Sequence, residues 1–395
     1  MAARPRAWTR VAGSLPRVSA TRLAPFGTTI FTEFSALAER TGAINLGQGF
    51  PDEDGPPALL EAACAAIRDG HNQYAPLPGI PALREAIAAH QRRFHGMEVD
   101  PETGVQVTFG ATEAITAALL GLLEPGDEVV LIDPSYDSYG AAVALAGGVR
   151  RTVALRPPAW ELDVDGLRGV IGPRTRALIL NSPHNPTGKV FSRDELEAVA
   201  RVCRDHHLVA ICDEVYEHLV YAGEHVPLAT LPGMAERTLT VSSLGKAFSC
   251  TGWKVGWACG PADLVAAVRS AKQFLTFAGG TPFQHAAAAV LAAADDWFRT
   301  LATSLRERRD RLCDGLRAAG LEVLVPDGTY FANAIVDGDG AGFCRELPAR
   351  AGVVAIPTAS FYEDPEIGRS LVRFAFCKRP DVIDEAARRL AAAAA

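Results

Sequence analysis

Thr238–Trp257, TLTVSSLGKAFSCTGWKVGW, runs from an unalternating apolar stretch through a turn of small residues to Lys246, then on to a second lysine, Lys254. A run that is apolar at successive positions is covered on both faces, as strands of a parallel sheet are. The lysines are the unusual part. Of 39 basic residues only five are lysines (Lys189, Lys246, Lys254, Lys272 and Lys378), and two of the five fall in this stretch. A partly desolvated lysine amine loses its proton and condenses with an aldehyde to a Schiff base, whereas a guanidinium stays charged and non-nucleophilic. A lone lysine at a strand end usually just turns its amine to solvent, so the meaning of Lys246 depends on its neighbours.

Working outward, five more such runs lie between about 73 and 275: VQVTF (105–109), EVVLI (128–132), RALIL (176–180), HLVAIC (207–212) and VGWAC (255–259). Longer helical segments separate them. One, SRDELEAVARVCRDH, opens with Ser192 and has Glu195 three residues on, the spelling of a capping box. The alternation predicts an α/β fold built on a parallel sheet. After Pro282 the texture changes to an alanine-rich helical stretch, then to strands TYFANAIV (329–336) and SLVRFAF (370–376). A smaller α+β domain is expected there. The expected division is a disordered tail over 1–22, an N-terminal segment over 23–50 that joins the small domain, a large domain over 51–282 and a small one over 283–395.

Bulk properties narrow the function. A chain of 395 residues, 48% hydrophobic and 22% charged, can bury a sizeable core. A net charge of −7 argues against nucleic acid, which needs a concentrated basic face, and no apolar segment is long enough to span a bilayer. The eight scattered cysteines form no C-x-x-C pair and are expected as reduced, buried thiols of a cytoplasmic protein. The first 32 residues hold five arginines and no acid, as transit peptides do. The whole chain is rich in Ala and Arg, however, so a disordered tail is the expectation.

In an open parallel sheet, ligands sit beyond the carboxyl ends of the strands. After VQVTF comes GATEAI, a glycine turn whose first helical amides, at Ala111 and Thr112, would face an anion. It lacks both the P-loop and the dinucleotide spelling, so an ordinary strand-to-helix turn is an equal reading. After EVVLI comes DPSYDSY, which brings the ring of Tyr136 to the strand end. After RALIL comes NSPHNPTGK, a stiff loop presenting Asn185, with a cis or a trans bond before Pro186 open. After HLVAIC comes DEVYEH, where Asp213 is either a helix cap or a buried carboxylate that needs a cation. Taken with Lys246, the series comprises a phosphate cradle, a stacking ring, an Asn donor, a buried Asp and a Schiff-base lysine. Pyridoxal phosphate asks for that set, because its ring nitrogen needs an acidic partner to stay protonated.

These residues resemble class I aminotransferases of pyridoxal-phosphate fold type I. The match runs from about Leu23 to Leu390, through NLGQGFPDEDGP, NQYAPLPGIPALREAI, NSPHNPTGK, DEVYEHL, SSLGKAFSCTGWKVGW and LVRFAFCK. The spellings are similar to the kynurenine, glutamine and methionine branch. TGWKVGWACGPADLVAAVRSAKQFL with ELPARAGVVAIPTASF resembles actinobacterial N-succinyldiaminopimelate aminotransferases most. The resemblance implies a mainly parallel seven-stranded sheet sandwiched by helices, beside a smaller α+β domain. It implies that Lys246 bonds the cofactor aldehyde and later shuttles a proton, and that Asp213 pairs with the ring nitrogen. Asn185 and Tyr216 would bond the ring oxygen, and Tyr136 would stack. Phosphate would be held by Ala111, Thr112, Ser243 and Lys254, and by Tyr74 from a neighbouring subunit of a homodimer. Arg373 would grip the substrate α-carboxylate, helped by Asn185 and the Gly49 backbone, with the stretch around Phe26 lying over the site. Lys254 departs from the aspartate branch, where arginine is common; a point charge suffices for phosphate.

The implied activity is amino transfer between an amino acid and a 2-oxo acid. The expected substrate pair is N-succinyl-L,L-2,6-diaminopimelate with 2-oxoglutarate, in lysine biosynthesis. The alternative is a broad kynurenine, glutamine or methionine aminotransferase with cysteine-conjugate β-lyase activity. Other pyridoxal enzymes share the fold. A pyridoxal-phosphate-bearing DNA regulator would need a helix-turn-helix module, and no such pattern precedes the core. No metal-ligating motif is read, and no metal is expected.

Overall fold

The computed structural model describes residues 20–394. Residues 1–19 of the expected tail lie outside the described residues, and Thr21–Leu23 forms a single 3-10 turn. In chain order the strands are β1 (Ile44–Asn45), β2 (Val105–Thr108), β3 (Glu128–Asp133), β4 (Val149–Ala154), β5 (Thr175–Asn181), β6 (Val209–Asp213), β7 (Thr238–Ser243), β8 (Gly256–Cys259), β9 (Glu322–Leu324), β10 (Phe331–Ile335), β11 (Val353–Val354), β12 (Ile356–Pro357) and β13 (Leu371–Ala375).

Seven of them form one sheet in the order β2-β8-β7-β6-β5-β3-β4, and β8 alone runs antiparallel to its neighbours. Successive side chains point to opposite faces, and both faces are covered. Val129, Leu131, Ile179 and Ile211 pack against the helices Gly110–Leu122 and Ala262–Leu275, while Val130, Ile132, Leu178 and Cys212 pack against Arg193–Asp205. That double burial is why these strands read as continuous apolar runs. The capping box at Ser192 and Glu195 is present, with both reciprocal bonds made. β4 escaped the sequence reading because it is the edge strand: Val149, Arg150 and Arg151 face solvent, so the apolar run is broken by the charge that protects a sheet edge.

The alanine-rich stretch forms two helices, Thr281–Leu291 and Asp295–Ala318. The first packs on the helices Pro57–Arg68 and Pro81–His95 of the large lobe. The boundary expected at 282/283 thus falls within the first of these helices. The lobes meet along the second helix, whose Phe298 joins the large-lobe core and whose Leu305, Leu312 and Leu316 join the other. Alanine marks close helix packing here, not a change of domain.

The C-terminal lobe holds the antiparallel sheet β12-β13-β10-β9. β1 pairs in parallel with β11, and the helix Ile30–Thr41 carries Phe34 into the same core, which draws the N-terminal segment onto this lobe. Seven of the eight cysteines are buried, Cys64 is exposed, and all are free. No described helix is long and apolar enough to cross a membrane.

Candidate active site

The topology gathers the polar strand ends. β2, β3, β5, β6 and β7 all run the same way, so the residues after them line one edge of the sheet. Because β8 runs against them, its leading residues, including Lys254, arrive at that same edge. In register, Gly256 lies between Thr108 and Ser243, and Asp213 between Asn181 and Val241.

A cavity of about 900 Å³ opens there, between the lobes. Of the twelve residues singled out from the sequence, eleven border it: Gly49, Ala111, Thr112, Tyr136, Asn185, Asp213, Tyr216, Ser243, Lys246, Lys254 and Arg373. Phe26 borders it too. Tyr74 does not. It is 80% exposed and touches the ring of Phe277 edge-on.

Lys246 sits in the single turn Leu244–Ala247 that follows β7. Its Nζ lies 5.9 and 5.6 Å from the ring centres of Tyr216 and Tyr330, and its one hydrogen bond among the described residues is a long 3.5 Å to the Gly49 carbonyl. Burial lowers its pKa to about 8, against the opposing pull of Cys377 and Asp213. Asp213, the last residue of β6, accepts the Tyr139 hydroxyl at 2.6 Å and the Val215 amide at 3.3 Å. Burial pushes its carboxyl up to about 6. Asp213 thus does cap the turn after its strand, and it is a buried carboxylate as well.

Arg373, on β13, enters from the other lobe. Its Nη1 donates to Asn185 Oδ1 (2.9 Å), its Nη2 to the Gly47 carbonyl (2.8 Å), and its Nε is buried without a partner. Phe31, Phe331 and Phe361 surround the guanidinium at 4.0–5.4 Å. Burial lowers its pKa to about 10. The backbone carbonyl beside Arg373 is that of Gly47, whereas the Gly49 carbonyl faces Lys246 and accepts the Tyr330 hydroxyl at 2.7 Å.

The helix start expected to cradle an anion rests on glycine. Gly110 has φ +74° at the start of the helix Gly110–Leu122, where the amides of Ala111 and Thr112 have no carbonyl within the helix to bond. A Cβ on Gly256 would come within 2.6 Å of the Gly110 backbone, so only glycine lets β8 lie this close. Lys254 takes a left-handed conformation, φ +55°, that brings its Nζ over Gly110. The Asn185–Pro186 bond is cis.

Sequence reasoning passed over three contributors. Tyr139 is the second tyrosine of DPSYDSY, one helical turn beyond Tyr136; the three-residue spacing was the available signal. Asn181 closes β5, donating to the Asp213 carbonyl and accepting the Asn185 amide. Tyr330 carries no sequence signal, because only the folded chain sets it over Gly49.

Three ionisable side chains, the buried Asp213 and Arg373 and the half-buried Lys246, therefore face one cavity, and none forms a salt bridge among the described residues. Unpaired burial of this kind costs several kcal/mol per group unless a ligand supplies the missing partners. The residues present fit pyridoxal phosphate: a carboxylate for a protonated ring nitrogen, an amine for an aldehyde, an amide cradle with a lysine for a phosphate, and a guanidinium for a carboxylate.

A family model described as "Aminotransferase class I and II" matches residues 41–390. The chain is 56% identical to the probable N-succinyldiaminopimelate aminotransferase DapC of Mycobacterium tuberculosis, over 94% of this chain and 98% of that protein. The solved structure of the M. tuberculosis N-succinyldiaminopimelate aminotransferase superposes with a TM-score of 0.93, covering 95% of this chain and all of the other. The methionine aminotransferase of Escherichia coli is 42% identical over 95% of this chain and 98% of its own length.

Proposed function

The chain belongs to the class I and II aminotransferases, and from that membership we propose that it moves the amino group of N-succinyl-L,L-2,6-diaminopimelate to 2-oxoglutarate, in lysine biosynthesis. It is a fold-type-I enzyme dependent on pyridoxal 5′-phosphate, working on an amino acid and a 2-oxo acid. The observation that carries the substrate assignment is 56% identity over nearly the whole of both chains.

Bound pyridoxal phosphate supplies an aldehyde to take the amine and a ring that withdraws electrons from the carbon that loses its proton. This chain's residues do the rest in the proposal. Lys246 Nζ, neutral in part near pH 8, provides the bonding amine and then carries the proton off the substrate Cα. Asp213 keeps the ring nitrogen protonated, and the Tyr139 hydroxyl holds Asp213 in place. Asn185 and Tyr216 bond the ring oxygen, and Tyr136 lies against the ring. The amides of Ala111 and Thr112, with Ser243 and Lys254, hold the phosphate, and the partner subunit's Tyr74 completes that site in a homodimer. Arg373 takes the α-carboxylate, assisted by Asn185 and the backbone around Gly49. The N-terminal segment 23–50 joins the small C-terminal domain, and the enzyme works in the cytoplasm.

Purified enzyme mixed in turn with succinyldiaminopimelate, methionine, kynurenine and glutamine tests the assignment through oxo-acid formation. Turnover of the first is expected. Turnover of methionine or kynurenine without it would establish the broad-specificity reading, which the 42% identity to methionine aminotransferase favours.

A further inference from the structure

Four of the nine histidines, His90, His95, His218 and His225, gather with Glu214 and Glu217 outside the cavity. The cluster joins the end of the helix Pro81–His95 to the segment 213–218, which carries Asp213 and Tyr216 into the active site. Nothing in the amino-transfer chemistry uses these side chains.

Their geometry is that of convergent donors. His90 Nε2 and His218 Nε2 lie 2.7 Å apart, and His95 Nε2 lies 2.5 Å from Glu217 Oε2. One ligating atom each from His90, His95 and Glu217 fall within 4.8 Å of one another. Tetrahedral zinc with bonds of 2.0–2.1 Å spaces its donors about 3.3 Å apart, so small shifts suffice for His90, His95 and Glu217, while His218, which lies beside His90 and outside that group of three, must swing its ring in to join them.

Two independent features point to a cation. First, Glu214 and Glu217 are buried, and among the described residues their only ion-pair partners are imidazoles, His225 and His95. A divalent cation on Glu217 balances that carboxylate while leaving His95 neutral. Second, Gln91 Oε1 is buried without a partner, while Gln91 Nε2 lies 3.3 Å from His90 Nδ1. Turning that amide over sets the orphan oxygen on Nδ1, where it accepts the N–H and frees the Nε2 lone pair for a metal. Glu217 Oε1 already accepts the Ser242 hydroxyl at 2.5 Å, which leaves Oε2 for the cation.

We propose that His90, His95, His218 and Glu217 form a site for one borderline divalent cation, with zinc as the matching ion, that clamps the helix Pro81–His95 to the segment bearing Asp213 and Tyr216. Three imidazoles and a carboxylate are donors that zinc takes readily. The sequence hides the set because its members come from two segments more than 120 residues apart.

Chelator-treated holoenzyme, exposed to zinc and dialysed, is assayed for bound zinc by atomic emission and for its thermal midpoint. The native chain is expected to retain one zinc and to melt higher with it. His218→Gln, at a partly buried position, and His95→Asn are expected to weaken retention by about tenfold or more. His71→Gln breaks the separate His71–His285 stack and is expected to leave retention unchanged. A native chain that holds no zinc overturns the proposal, as does retention lost in His71→Gln but kept in His218→Gln. Should His95→Asn not fold, His218→Gln decides.

Discussion

Arg373 Nη1 donates to Asn185 Oδ1 over 2.9 Å, which ties β13 of the C-terminal lobe to the loop after β5 of the large sheet. The partners are 188 residues apart in sequence. With Nη2 spent on the Gly47 carbonyl and Nε left unbonded, the guanidinium is oriented from two sides yet still short of an anion. Under the proposed function, the substrate carboxylate would be read at the seam where the lobes meet.

Lys246→Arg keeps a cation but removes the nucleophile. Amino transfer is expected to fall by about 10³-fold or more. Borohydride reduction and peptide mapping should find the cofactor adduct on Lys246 in the native chain, and an adduct on another lysine would refute its role. With the amine at about pH 8, cofactor capture by the apoenzyme should rise about tenfold per pH unit below that value and level off above it.

Asp213 titrates near 6 in the folded chain, raised by burial, against about 3.9 unfolded. The folded state thus prefers the protonated acid, a stabilisation present in full below about pH 4 and lost as pH rises through 6. In cofactor-free protein, Asp213→Asn should match the native chain near pH 4. It should exceed it by on the order of 2–3 kcal/mol above pH 7. Urea denaturation across pH checks this; a difference that ignores pH contradicts it. With pyridoxal phosphate present, the variant should bind the cofactor more weakly.

Arg373→Lys removes the planar fork that reads a carboxylate through two bonds. A loss of about 2–3 kcal/mol, or 30- to 150-fold in kcat/KM for amino acid donors, is expected from charge-assisted bonds of this kind. Steady-state kinetics showing less than about a twofold change would place the carboxylate elsewhere.

Gly256→Ala would force a Cβ against the backbone of Gly110 and Ala111, at 2.6 and 2.8 Å. The first turn of the cradle must then move. Affinity for pyridoxal phosphate should drop by about tenfold or more, while that for pyridoxal, which lacks the phosphate, should barely change. Equal losses for both would show that the cradle does not read phosphate.

Tyr74 stands outside its own chain's cavity. If the partner subunit's Tyr74 bonds the phosphate, Tyr74→Phe should cost about 1 kcal/mol of cofactor affinity, and the native enzyme should sediment as a dimer. A monomer that binds cofactor fully would exclude the shared site.

The strand-end residues were legible because a doubly buried strand announces itself as an apolar run, and the residue that stops the run is the one delivered to the sheet edge. Asn185, Asp213 and Lys246 were found in that way. β4 was not, since an edge strand bearing Arg150 and Arg151 carries no such run. Tyr74 was legible only through resemblance, and its place against Phe277 rather than the cavity is a property of the single chain.

By itself the sequence determined the α/β alternation, the order of the polar strand ends and the chemistry of the lysine, because these depend on local periodicity and on what each side chain can do. Only the tertiary structure decided that β8 runs backwards to bring Lys254 to the cavity, that Tyr139 holds Asp213, that Arg373 meets Asn185, and that His90 and His95 meet the distant Glu217 and His218. Those are contacts between segments far apart in the chain. They are set by how buried surfaces pack and how buried charges find partners, which no local window of residues contains.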